Sequence, residues 1–198
     1  MAAKNYLDEP FHRVRRSDRA VEDDGWIRSF LKRAAIGFLA TTVGEQPFIH
    51  SSLFVYDEGE HVIYMHTAKV GRTRANLEYS APICFNVSAM GRLLPAEEAL
   101  EFSVEYAGVT VFGRGLVVED DVEKERGLQL LLDKYCPHLK SSVDYRAIIP
   151  EELDRTTVFR IEIENWSGKR KEVGPEFPGA FWYEAHVNPY FIPKGAGG

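Results

Sequence analysis

Apolar residues change period several times along the chain, and each change marks an element. Trp26, Ile27, Phe30, Leu31 and Ala34 recur at helical spacing behind Asp23 and Asp24, either of which can cap free N–H groups. The pattern predicts a helix over 24–34, set to plug or cover the sheet that follows. Apolar and β-branched runs at 36–43 and 48–56 predict two strands. Gly44-Glu45-Gln46-Pro47 between them, and Asp57-Glu58-Gly59-Glu60 after them, are turns by composition, so the pair reads as a hairpin. A third strand over 61–66 puts Val62, Tyr64 and His66 on one face and His61, Ile63 and Met65 on the other. A short helix over 70–79 interrupts the meander. Strands over 82–89 and 105–119 follow, the second carrying Gly108, Gly113 and Gly115, which permit the bends of barrel corners. A helix over 121–135 buries Leu128, Leu131 and Leu132, and a last strand over 156–164 turns Phe159, Ile161 and Ile163 inward.

Some six strands in hairpin order with three helices predict a mainly β fold, a closed antiparallel barrel. A doubly wound sheet needs strand–helix alternation, which fails across 36–66. Three segments are expected: an N-terminal arm (1–20), the barrel domain (21–171) and a C-terminal tail (172–198). The arm, with Arg13, Arg15, Arg16 and Arg19, reads as solvated. The tail scatters Pro and Gly among Phe177, Phe181, Trp182, Tyr183, Tyr190 and Phe191, too aromatic for a free linker; it should pack on its own barrel or on a partner.

Composition narrows the function classes. Hydrophobic residues make up 44% and charged residues 27% of 198, a globular balance. The net charge of −6 (24 basic, 30 acidic) argues against nucleic acid as a partner. No signal peptide pattern and no run of ~20 apolar residues is present, so neither export nor a membrane partner is expected. Cys84 and Cys136 lie far apart with no C-x-x-C spacing, and a reducing cytoplasm is the expected setting.

Candidate chemistry concentrates in His66-Thr67-Ala68-Lys69-Val70-Gly71-Arg72-Thr73-Arg74, which leaves a strand and opens a helix. N–H groups at a helix start favour an anion, Gly71 lets backbone approach closely, and Lys69, Arg72, Arg74 and the threonines add charge and hydroxyls. The run makes either a phosphate cradle, though not a P-loop, or a capped helix with a basic face. His66 beside it is a structural or a functional histidine. No histidine spacing fits a metal, and Ser51 and Ser52 lack a nucleophile elbow. Trp166-Ser167-Gly168-Lys169-Arg170-Lys171, after the last strand, reads as a hydrophilic turn with an aromatic anchor, or as an indole and an amine for a planar ring.

Asp24-Gly25-Trp26-Ile27-Arg28, Gln46-Pro47-Phe48-Ile49, His66-Thr67, Val70-Gly71-Arg72, Arg74-Ala75-Asn76, Val111-Phe112-Gly113 and Trp166-Ser167-Gly168-Lys169 occur in this order over residues 20–171. In that order they resemble the pyridoxamine 5′-phosphate oxidase-like FMN split barrels, and most closely their 5-nitroimidazole reductase branch. The resemblance implies a six-stranded split barrel and a homodimer with two FMN sites at its interface. Thr67, Lys69 and Arg72, with Gly71, would hold the FMN phosphate. His50, Ser51 and Ser52 would run beneath the ring, and His66 matches the branch's active-site histidine. FMN in one protomer's cradle would be completed by Trp166 and Lys169 of the other. The implied activity is reduction of small electron-poor compounds. Two alternatives remain open: a non-enzymatic flavin or haem binder on the same barrel, and a vitamin-B6 phosphate oxidase. The arginines and histidine by which such oxidases grip substrate near the C-terminus have no recognisable counterpart here.

Overall fold

A computed structural model of the chain describes residues 6–183. A 3₁₀ turn (Ser17–Arg19) leads into β1 (Ala20–Val21), then α1 (Asp24–Arg33), β2 (Gly37–Val43), β3 (Gln46–Ser52), β4 (Val55–Asp57) and β5 (Val62–Ala68). After α2 (Arg72–Tyr79) come β6 (Pro82–Leu94), β7 (Ser103–Val117), α3 (Asp121–Tyr135), α4 (Pro150–Leu153) and β8 (Thr156–Lys171). Every strand pairing is antiparallel, and the main path runs β3-β2-β6-β7-β8-β5-β4, with β1 added to β8. The path does not close, and the described residues hold eight strands rather than six. Even so its two ends are joined by chain, because only Leu53 and Phe54 separate β3 from β4.

That joint corrects the expectation of one strand over 48–56. The run carries no Gly or Pro to mark a break, but β3 pairs with β2 and β4 with β5, at opposite ends of the path. The joint is pinned by α3. The Phe54 N–H donates to Tyr135 Oη (3.1 Å), and its carbonyl accepts from Lys134 Nζ (2.9 Å) and Tyr135 Oη (3.0 Å). Burial holds the Lys134 amine down to about 8.

The core lies inside the curl, where Leu39, Phe54, Ile63, Met65, Phe85, Val87, Val109, Val111, Phe159 and Ile161 meet Ile27 and Leu31 of α1. α1 therefore plugs one end, with Asp23 as its cap (Gly25 N–H to Oδ1, 2.8 Å). A second cluster on the outside of β5 gathers Val62, Tyr64 and Val158 under Leu131 of α3. Both faces of β5 are thus covered, as its alternation requires. In α3, Leu130 joins Leu128 and Leu131 at this cluster, and Leu132 is only half-buried.

β8 is also longer than expected. The run 165–171 is not a turn but continues the strand to Lys171, pairing Trp166 with Val111 and Lys169 with Gly108. A bulge against Phe112/Gly113 interrupts the apolar alternation there, and a β-carbon on Gly113 would fall 1.9 Å from Glu162 O. The arm is not merely solvated. Phe11 stacks on Phe112 (6.2 Å), Arg19 donates to Tyr106 Oη (3.3 Å), and Ala20–Val21 pair with β8. The tail packs on its own barrel as far as it is described, with Phe181 bridging to Leu93. Tyr190 and Phe191 lie outside the described residues.

Candidate functional site

The cradle forms where β5 hands over to α2. The Lys69 N–H donates to Arg155 O (3.2 Å), and Thr157 Oγ1 donates to Lys69 O (3.4 Å), tying the loop to the start of β8. α2 starts at Arg72, two residues later than the sequence pattern implies, behind an extended Gly71 that offers no side-chain cap. Its first internal bond is Ala75 N–H to Gly71 O (3.1 Å), so the N–H groups ahead of it have no acceptor within the helix. A β-carbon on Gly71 would meet nothing within 4 Å, so the approach is open. Buried Thr73, Asn76 and Leu77 fix the helix in place, Asn76 Nδ2 donating to Thr41 Oγ1 (2.8 Å).

Charge at the cradle is divided unequally. Arg74 turns away, donating to Glu78 (2.7 Å) and Thr157 Oγ1 (3.2 Å), so it is a structural arginine. Exposed Lys69 and Arg72 have no carboxylate partner among the described residues. A cleft of about 190 Å³ beneath the loop is lined by Lys69, Arg74, Lys124, Thr156 and Thr157 together with the carboxylates Glu119 and Asp154, and Arg72 lies outside it. Two unpaired cations above free helix N–H groups suit one phosphate.

His66 and the β3 residues flank one gap. β4 covers β5 only from Val62 to Tyr64, so the edge of β5 from Met65 to Ala68 is unpaired on that side. β3 is likewise unpaired on its outer edge and diverges from β4 at the Leu53–Phe54 joint. His50, Ser51 and Ser52 therefore border the split whose other lip carries His66 and Thr67. His50 and Ser52 are half-buried, while Ser51 is exposed on the outer face. Burial lowers the His66 pKa from its ordinary value. Its Nδ1 is buried without a partner, which leaves Nε2 to meet solvent or a ligand.

Trp166 and Lys169 are not brought together. Three residues apart on a strand, they point to opposite faces. The Trp166 indole packs on the core side, edge-on to His61 (4.8 Å) and Tyr56 (6.3 Å), and its Nε1 donates to Asp24 (2.9 Å). His61, expected inside the third strand, precedes it instead. It is left-handed (φ 56°), and its Nδ1 lies 3.0 Å from Tyr56 Oη. Lys169 faces outward 5.3 Å from the Tyr106 ring, beside a groove of about 460 Å³ lined also by Arg13, Arg15, Asn86, Ser88, Thr110 and Ser167. Sequence reasoning missed this polar patch. Its signal was the polar half of the alternation in β6 and β7, where Asn86, Ser88 and Thr110 interleave with buried Phe85, Val87, Val109 and Val111.

With this geometry in view, the sequence model described as pyridoxamine 5′-phosphate oxidase matches residues 23–170. The chain belongs to this family. A search of curated proteins finds no match. Among solved structures, a FAD and haem binding protein from Mycobacterium smegmatis superposes with a TM-score of 0.71 at 23% identity, covering 80% of this chain and 76% of that one. The flavocytochrome Anf3 from Azotobacter vinelandii gives 0.70 at 23% identity, with 90% and 79% covered. A protein from Bacteroides thetaiotaomicron described as a 5-nitroimidazole antibiotic resistance protein gives 0.62 at 19% identity, with 77% and 90% covered. At these identities the likeness establishes the split-barrel fold of the oxidase family and not an activity. Among the described residues no helix is long and apolar enough to cross a membrane.

Proposed function

We propose that this oxidase-family barrel is an FMN-binding reductase of small electron-poor molecules, with nitroimidazole-like compounds as the substrate class. The observation that carries the reading is the pair of unpaired cations, Lys69 and Arg72, over the free N-terminus of α2 at the mouth of the split. A flavin mononucleotide fits these residues: a doubly charged phosphate for the cradle, and a flat ring for the gap between β3 and β5. Thr67 adds a hydroxyl at the cradle's edge, and the unpaired edge of β3 at His50, Ser51 and Ser52 offers backbone groups to a polar ring edge.

When bound, a flavin supplies electrons singly or as a hydride. The chain's own part is to hold the phosphate, orient the ring and handle protons. Taking a nitro group to nitroso consumes two electrons and two protons and releases water. His66 Nε2, at the lip of the split, is placed to deliver one of those protons.

The site is composite in this reading. A second copy lays the outer face of β6, β7 and β8, with Lys169 and Ser167, over the flavin held by the first. Trp166 supports that surface from behind.

The names of the M. smegmatis and A. vinelandii structures favour a second reading, a flavin protein that also holds haem. Purification with cofactor release separates the readings. FMN alone and rapid anaerobic reoxidation of the chemically reduced protein by nitroaromatics support the proposal. FAD, a Soret band, or reduced protein indifferent to nitroaromatics would replace it. Oxygen uptake with pyridoxamine phosphate would point to the oxidase instead.

A further inference from the structure

β8 runs from the cradle at Thr157 to Lys171 at the opposite end of the barrel, roughly 45 Å along the strand. A pocket of about 660 Å³ opens at that far end, between α1, the ends of β6, β7 and β8, and the start of the tail. This is the size range of sites for small organic ligands.

One wall is the stacked pair Trp26 and Phe30, with centroids 5.1 Å apart and planes at 13°. Trp182, 66% exposed and not packed away in the core, also lines the pocket. Its position is built. Phe181 exchanges two backbone hydrogen bonds with Leu93 (2.7 and 3.1 Å), fixing the residue beside Trp182. Arg92 donates to the carbonyls of Val173, Gly174 and Pro175 (3.2 Å each) while paired with Glu105 (2.8 Å). The Arg92 hydrogen bond holds the Glu105 carboxyl down to about 2, so the clamp stays charged near neutral pH.

The charge of the lining opposes that of the chain. Arg33, Arg92, Arg170 and Lys171 face Glu105 and Glu172, four cations against two carboxylates, in a protein of net charge −6. Arg92 pairs with Glu105 (2.8 Å) and Arg170 with Glu172 (3.3 Å). Arg33 reaches only the Ser29 carbonyl (3.3 Å), and Lys171 only the Ser103 hydroxyl. Two cations without a carboxylate partner among the described residues therefore border an aromatic-walled slot.

We propose that this pocket is a second ligand site, taking a flat fused-ring aromatic carboxylate with its rings between the Trp26–Phe30 pair and Trp182 and its carboxylate on Arg33 and Lys171. Aromatic walls reward a planar ring, and two unpaired cations reward its acid. Within one chain the length of the barrel separates this pocket from the cradle. In the composite reading it lies beside the Lys169 surface that covers the second copy's flavin, which Arg72→Ala tests separately.

The test uses the purified full chain with 2-anthracenecarboxylate, followed by calorimetry and by quenching of tryptophan fluorescence. The expected result is saturable binding of one molecule per chain, weakened by salt, with neutral anthracene-2-methanol binding about tenfold or more weaker. Arg33→Ala with Lys171→Ala should weaken the acid by about ten- to a hundredfold, and Trp182→Ala should also weaken it. Arg33 and Trp182 are exposed and Lys171 is half-buried, and a thermal melt should show the variants folded. Arg72→Ala should leave binding unchanged. Equal affinity for the alcohol, no saturable binding, or binding that Arg72→Ala abolishes and the pocket variants spare would each overturn the proposal. The last result would place the acid in the flavin cleft.

Discussion

In the proposed pose Arg72 and Lys69 hold the phosphate, because neighbouring Arg74 spends its charge within the chain, on Glu78 and Thr157. Removing an unpaired, exposed cation leaves no buried charge stranded, so Arg72→Ala should be neutral for folding. It should cost roughly 1.5–3 kcal/mol of FMN affinity, the range for a charged hydrogen bond. Fluorescence titration of the apoprotein reads this directly, and an unchanged dissociation constant removes the phosphate from Arg72. His66 is a different kind of residue. Its buried, unpartnered Nδ1 and its lowered pKa make the neutral ring the dominant form at neutral pH. The protonated fraction grows only as pH falls below the ordinary histidine value near 6.5. A proton supplied by His66 therefore predicts that nitroaromatic turnover rises as pH is lowered through that region. His66→Ala should flatten the rise and lower turnover far more than FMN affinity. A variant that keeps the pH limb, or loses affinity and turnover equally, would make His66 structural.

At the scale of elements, two glycines separate packing from binding. Gly113 sits in the bulge between β7 and β8, where a β-carbon would strike the Glu162 carbonyl at 1.9 Å, so Gly113→Ala should cost about 3 kcal/mol in urea unfolding. Gly71 has open space around it, so Gly71→Ala should stay within about 1 kcal/mol of wild type. Its added methyl nevertheless obstructs the approach to the α2 N–H groups, and FMN affinity should fall several-fold. An unchanged affinity would mean that no phosphate rests on that turn. The same contrast explains what was legible in the chain. α1 and α3 could be read almost to the residue because their apolar stripes, and for α1 the Asp23 cap, are local signals; the structure adds Asp120 as the cap of α3. The end of β8 could not, since Trp166 to Lys171 carry no alternation of their own and are strand only because β7 and β1 pair with them. The break at Leu53–Phe54 is hidden for the same reason, being decided by which distant strand each half joins. The turn from β5 into α2 was legible as a short motif, with Gly71 just ahead of the helix. That Trp166 and Lys169 turn to opposite faces became readable only once both were known to lie on one strand.

The whole molecule poses the question of where the other half of the site comes from. In one chain the flavin's exposed side, in the proposed pose, has no cover. The outer sheet face still carries features that a second copy could use: Phe38 is 42% and Ile49 66% exposed, and Phe38 lies opposite Asn86 beside the polar groove that holds Lys169. An obligate two-fold interface should bury more than ~2,000 Å² in total, and a two-fold axis would deliver Lys169 to each cradle at once. The decisive experiment is a mixed dimer in which one subunit carries Arg72→Ala and the other Lys169→Ala. Each homodimeric variant must first show low activity; a fully active Lys169→Ala homodimer would by itself remove Lys169 from the site. If the cleft is shared across the axis, one cleft of the mixed dimer receives both lesions and the other receives none. About half the wild-type activity should then return, with one tightly held FMN per dimer. If each protomer completes its own cleft, both remain damaged and no activity returns on mixing. A monomer in solution with full FMN occupancy would end the composite reading altogether, while leaving the cradle's hold on the phosphate untouched.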